Sequence, residues 1–288
     1  MKKTIQDIPV IFQDKFPDNY INNVIGWGIP EEELHTKLPD GTYKLLSLDI
    51  DFGLTCSLKC PHCFQNNQNS YNFKNRLTWD ETIDLINQAE TLGLKYVKIL
   101  GAGEPFEEKN LLRLLEELSK RNIHTSIFTK GHVLGSNELT KRYFGHEGIS
   151  TAENLIERLF QLKTSILLGF NSFDESKQLE FVGLSSVHPL RNYTELRNNA
   201  LNLLTESGFN KFIPGIATRL AIVATPFKPE NIDEIFDIYK WGMVRNIYVA
   251  SCPTTSSGNG NVELIRESKS DFNSYIETVK QLYINIYS

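Results

Sequence analysis

The stretch LLSLDIDFGLTCSLKCPHCFQ, residues 45–65, sets the reading of this 288-residue chain. It opens with a β-rich run, residues 45–51, and passes directly into Cys56, Cys60 and Cys63, three of the chain's four cysteines within eight positions. CPHC by itself suits a thiol–disulfide oxidant; adding Cys56 opens a metal or cluster site. Which chemistry applies depends on what surrounds the stretch.

Outward from that point a rhythm sets in of short β-rich runs, each followed by a longer segment with helical spacing. Strands are predicted at 45–51, 95–100, 124–129, 165–170, 218–224 and 246–251. TWDETIDLINQAETLG (78–93) opens with Thr78 and carries Glu81 three residues later, a capping box. EEKNLLRLLEELSKR (107–121) is apolar on one face with acids ahead of bases. Further helices fit 151–162, 193–207, 229–241 and 271–287. Alternating strands and helices imply parallel strands joined by right-handed crossovers. The fold class is therefore α/β, a partial (β/α)6 TIM-like barrel. Residues 1–44 read as an irregular N-terminal extension with at most short helices, 45–252 as the barrel, and 253–288 as a C-terminal loop and helix. The glycine-punctuated segment 130–150 reads as a long loop. In parallel α/β folds sites form at the carboxyl ends of strands, which is where the cysteines stand.

Composition narrows the class. With 40% hydrophobic and 23% charged residues the chain has the makings of an ordinary core, and a net charge of −5 argues against nucleic acid as a partner. No run of about eighteen apolar residues suggests a membrane span, and no signal-like start is present, so a cytoplasmic location is expected. Thiols there stay reduced, which favours metal binding or catalysis over cross-linking. A zinc site needs four ligands, and His62 and Cys63, being neighbours, cannot both join Cys56 and Cys60; Cys252 is the available fourth. Three thiolates suit a cubane iron–sulfur cluster with one iron left open.

C-x3-C-x2-C after a first strand, with a ring residue, His62, before the last cysteine, resembles the radical S-adenosylmethionine superfamily. ILGAGEPF (99–106), at the end of the second strand, looks like that family's Gly-Gly-Glu-Pro motif, with Ala102, Gly103, Glu104 and Pro105 in order and Ala102 replacing the usual glycine. FTKG (128–131) stands where relatives have Thr-Asn-Gly, and GFNSFDESKQLEFVG (169–183) is similar to a stretch after strand four of the molybdopterin-precursor cyclase and the peptide-modifying, SPASM-type branch. The resemblance implies a 4Fe–4S cluster on Cys56, Cys60 and Cys63, with S-adenosylmethionine chelating the open iron. His62, Ala102, Gly103, Glu104, Asn171, Ser172 and Arg219 would contact that cofactor, Arg219 through a carboxylate. It further implies a flavodoxin- or ferredoxin-type electron donor and hydrogen-atom abstraction from a peptide or small molecule. Cys252 in VASCPTTSSGNG (249–260) reads as a packing residue or as a hydrogen-atom donor in an epimerisation. The cysteines of a SPASM auxiliary cluster are not present in this chain. Two other classes stay open: a metal- or cluster-binding interaction module without catalysis, and a thiol–disulfide oxidoreductase using CPHC. His124, His132, His146 and His188 read as surface or loop histidines.

Overall fold

The structure, a computed structural model, describes residues 4–13, 15–63, 76–185, 187–227 and 232–253, together with positions 273, 276, 277, 280 and 284. Six strands, β1 (Ser47–Ile50), β2 (Tyr96–Ile99), β3 (His124–Thr129), β4 (Ser165–Gly169), β5 (Leu220–Phe227) and β6 (Tyr248–Pro253), form one parallel sheet in the order β1-β2-β3-β4-β5-β6. The helices between them are α2 (Trp79–Thr91), α3 (Leu111–Lys120), α4 (Asn137–Phe144), α5 (Ala152–Gln161), α6 (Glu175–Phe181), α7 (Tyr193–Glu206) and α8 (Ile232–Met243); a short α1 (Glu31–Leu34) precedes the sheet. Neighbours in sequence are neighbours in space, and β1 and β6 remain edges. That is the partial barrel expected.

Period-two alternation divides the sheet into two faces. Ile99, Ile127, Ile166, Leu168, Ile222 and Val249 are buried with the apolar stripes of the helices, among them Leu111, Leu114, Leu118, Leu155, Leu159, Leu201 and Leu204. Each such leucine contributes roughly 1.5–3 kcal/mol relative to exposure. The opposite, concave face carries Leu167, Ala221, Phe128, Val223 and Tyr248, and the N-terminal extension closes it: Val24 and Trp27 pack there, with Val24 bridging Thr218. The extension is short-helical as read, yet it is part of the core.

Several boundaries differ from the sequence reading. Asn246 takes a left-handed φ of 54°, so β6 starts two residues later, at Tyr248. The supposed loop 130–150 contains α4, whose N-cap Ser136 accepts a bond from the Leu139 amide; the glycines that hid it flank the helix. The stretch 169–183 likewise contains α6, capped by Asp174. Thr78 and Glu81 do form the capping box, Glu81 accepting from the Thr78 amide at 2.7 Å. The predicted helix 271–287 lies outside the described residues except for the scattered positions given above, which are helical.

Candidate functional site: the carboxyl ends of β1 to β4

Four segments meet at the carboxyl edge: the cysteine loop after β1, the Gly101–Glu107 turn after β2, the Lys130 segment after β3 and the Asn171–Asp174 segment after β4. The first two touch through backbone. The Glu104 amide donates to Thr55 O at 2.8 Å, and a Cβ on Gly103 would lie 2.2 Å from that same oxygen, so only glycine allows the approach. The left-handed position of this turn is Gly101, φ +79°, and not Ala102. The alanine that departs from the motif therefore carries no backbone strain.

Glu104 ties the turn to β3. Its buried carboxylate accepts from Thr129 Oγ1 at 2.5 Å, from the Lys130 amide at 2.8 Å and from the Phe106 amide at 3.3 Å. Burial pushes its pKa up, opposed by His132 and by these hydrogen bonds. Glu107, three residues on, ties the turn to the cysteine loop: it accepts from the Ser57 amide and the Ser57 hydroxyl, both at 3.0 Å, and meets His132 Nε2 at 2.9 Å. Burial pushes Glu107 up, but hydrogen bonds from His132 and Ser57 outweigh it and hold the carboxyl below its ordinary value. The Tyr143 hydroxyl of α4 joins Ser57 and Glu107. His132 is 1% exposed, and its Nδ1 has no partner among the described residues. His132 is a loop histidine as read, standing in the turn ahead of α4, but not a surface one, because its ring is buried against Glu107. Sequence reasoning missed Glu107, His132 and Tyr143; Ser57, sitting between two cysteines, is the signal that points to them.

The loop is clasped on its other side by the end of α6. The Lys59 amide donates to Val182 O at 3.1 Å, and a Cβ on Gly183, φ +67°, would fall 1.9 Å from Lys59 O. Cys60 is buried with Leu58, Val182, Leu184 and Tyr193, Cys63 is half-buried and Cys56 exposed, and all three thiols are free. Desolvation pushes the Cys56 thiol up, reinforced by the charges of Glu104 and Glu107, and pushes Cys60 up against the opposing charge of Lys130. Thiolates here need a cationic partner. Among the described residues no three His, Cys, Asp or Glu side chains converge as a metal-holding group, so the thiols share one loop without being drawn to a point. The His62 ring stands 6.4 Å from that of Phe181, edge to face.

Asn171 and Ser172 lie at the same edge, both buried. The Ser172 hydroxyl donates to Glu234 of α8, and its carbonyl accepts from the buried Arg197 of α7. Arg219 does not join them. It precedes β5, at the amino edge, where its guanidinium donates to Thr164 O at 2.8 Å, Phe160 O at 3.1 Å and Leu159 O at 3.3 Å and stacks on Phe160 and Phe209. Carbonyls, not a carboxylate, are its partners. The backbone of Cys252 belongs to β6, and its side chain lies outside the described residues. No helix among the described residues is long and apolar enough to cross a membrane.

A family model described as "Radical SAM superfamily" matches residues 50–242. A search of curated proteins found no match. Two crystal structures of SuiB from Streptococcus suis share the fold at 19% identity and TM-score 0.50, one of them bound to S-adenosylmethionine. They cover 82% and 81% of this chain, which spans only 46% and 48% of the SuiB chains.

Proposed function

The chain belongs to the radical SAM superfamily, and from that premise we propose that Cys56, Cys60 and Cys63 hold a 4Fe–4S cluster at which S-adenosylmethionine is reductively cleaved. The family's cofactors are that cluster and S-adenosylmethionine. Bound together and given one electron, they supply a 5'-deoxyadenosyl radical able to take a hydrogen atom from an unactivated carbon. The observation that carries the reading is the seam between the cysteine loop and the Gly-x-Gly-Glu-Pro turn, closed by the Thr55–Glu104 bond and the Ser57–Glu107 pair.

The donor set fits the group: three free thiols on one loop, raised by burial where their shift is resolved, and so dependent on a cation to ionise. In this reading the residues divide their work. Gly103 and Ala102 let backbone approach the cofactor's amino group, Glu104 fixes the turn that presents them, and the His62 ring packs beside the cofactor without ligating. Asn171 and Ser172 face its polar groups. Excluding water and holding the substrate is the barrel's part. The electron comes from a flavodoxin- or ferredoxin-type donor, the substrate is a peptide or small molecule, and residues 45–252 form the catalytic unit. Cys252, on a strand that ends at this edge, is the candidate hydrogen-atom donor should the reaction be an epimerisation.

The test is anaerobic reconstitution with iron and sulfide, then dithionite and S-adenosylmethionine. The protein should turn brown and yield 5'-deoxyadenosine, and the triple cysteine-to-alanine variant should do neither. Product persisting in that variant would sink the assignment. Zinc bound in place of iron would favour an interaction module, and dependence on Cys60 and Cys63 but not Cys56 would favour a thiol–disulfide oxidoreductase.

A further inference from the structure

We propose that the concave wall of this barrel takes a substrate bearing a carboxylate, seated on the Lys130 ammonium beside the Phe128 ring. The inference rests on reading the carboxyl edge as a radical SAM site and names the chemistry of what that site acts upon. Lys130 is fixed at both ends of its peptide: its amide donates to Glu104 at 2.8 Å, and its carbonyl accepts from the buried Tyr193 hydroxyl at 3.1 Å. From that anchor the side chain turns back along the sheet and not out to solvent. Nζ lies 5.1 Å from the centroid of Phe128, a residue of the concave cluster. The chain also fills the space that a side chain at position 169 would take, with Cδ 2.9 Å and Nζ 3.2 Å from where a Cβ on Gly169 would be. Gly169 has no left-handed φ, so glycine there serves room and not backbone conformation.

A half-buried ammonium is thus laid across the β3–β4 seam, and no carboxylate among the described residues comes within ion-pairing distance of it. Stacking on one ring contributes only about 0.5–1 kcal/mol, less than an anion in the same place would. The other cations nearby are committed. Lys98 faces Asp49 at 3.8 Å, and Arg197 is bound to Gln178, Asn198 and the Ser172 carbonyl. A single ammonium flanked by an aromatic face suits a monoanion with an apolar neighbour; a phosphate would call for a cluster of donors. A carboxylate also exists in the methionine part of the cofactor, so the experiment must separate the two sources.

The full chain, loaded with iron and sulfide and saturated with S-adenosylmethionine, is titrated calorimetrically with N-acetylphenylalanine and with its amide. The acid should bind about tenfold tighter than the amide. Lys130→Met should bring that ratio to about one, Lys130→Arg should restore part of it, and Gly169→Ala should lower it by displacing the lysine side chain. Equal affinities for acid and amide in the native protein, or a preference that survives in Lys130→Met, would overturn the proposal. So would a loss of S-adenosylmethionine affinity in Lys130→Met with the acid-to-amide ratio unchanged, which would assign the lysine to the cofactor's own carboxylate. Failure of the underlying reading shows separately, as native protein that retains no iron and forms no 5'-deoxyadenosine.

Discussion

Both edges of the sheet bury charge, and they use it differently. At the amino edge the charges are cations that finish the fold. Arg219 donates to Leu159 O and Phe160 O at the end of α5 and to Thr164 O beyond it, while Arg245 donates to Ile8 O at 3.0 Å and Trp241 O at 2.9 Å and stacks on Trp241. These groups satisfy acceptors that every helix leaves open at its C-terminus. At the carboxyl edge the buried charges hold loops: the carboxylates Glu104 and Glu107 reach between strands, and the guanidinium of Arg197 fixes the segment after β4 through the Ser172 carbonyl and Gln178. Among the described residues that edge also leaves His132 Nδ1 without a partner. Buried charge therefore organises loops at one edge and helix ends at the other.

The largest effect expected from this contrast is at the amino edge. Arg219→Met strips donors from three carbonyls and should cost about 4 kcal/mol of stability, read by denaturant unfolding. A variant of native stability that has lost S-adenosylmethionine affinity would erase the distinction between the edges. His124, close by, gives a pH signature. Burial, then the charges of Arg219 and Lys163, push it from 6.5 down to about 4. The folded protein keeps it neutral while the unfolded chain takes up a proton, so this stability is full above pH 6.5 and is lost as pH falls toward 4. The shift is worth about 3 kcal/mol, and His124→Gln should flatten the stability profile over that window; an unchanged slope would show another group responsible.

At the carboxyl edge, Gly103→Ala should push the Gly101–Glu107 turn off Thr55 O of the cysteine loop and lower 5'-deoxyadenosine formation about a hundredfold, equivalent to about 2.7 kcal/mol, with circular dichroism unchanged. Wild-type rates would mean the seam is not needed. Glu107→Gln keeps the shape and weakens the bonds to Ser57, so iron retained per chain after gel filtration should fall several-fold. Full retention would make Glu107 a bystander. The smallest effect is at His62: in the proposed site a ring suffices beside the cofactor, so His62→Phe should change cleavage by about twofold or less, and loss of iron in that variant would show the imidazole ligating.

What could be read from sequence was local. The strands were visible because Val, Ile and Leu alternate or cluster over four to six residues, and the helix at 78–93 because its cap is written within four. The cysteine spacing and GAGEPF were visible for the same reason. Glu107 was hidden because it meets Ser57 from 50 residues away, and in sequence EEKN looks like the polar start of a helix. His132 reads as a surface or loop histidine because the groups that bury it, Glu107 and Tyr193, are distant in sequence and α4 beside it lies among glycines. Arg219 illustrates a different failure: its place at the start of the strand read at 218–224 already put it at the edge opposite the cysteines, and the parallel topology was enough to say so.

The clasp on the cysteine loop has a consequence in time. Thr55, Ser57 and Lys59 are held by Glu104, Glu107 and Val182, partners that a growing chain makes long after the cysteines themselves, and such distant closures form late in folding. The three thiols thus reach their final arrangement only once β2, β3 and the end of α6 are in place. In the proposed site, iron offered to an unfinished chain would meet scattered thiols, whereas iron offered after sheet assembly would meet all three on one clasped loop. Refolding first and metallating second should give the higher yield of brown protein.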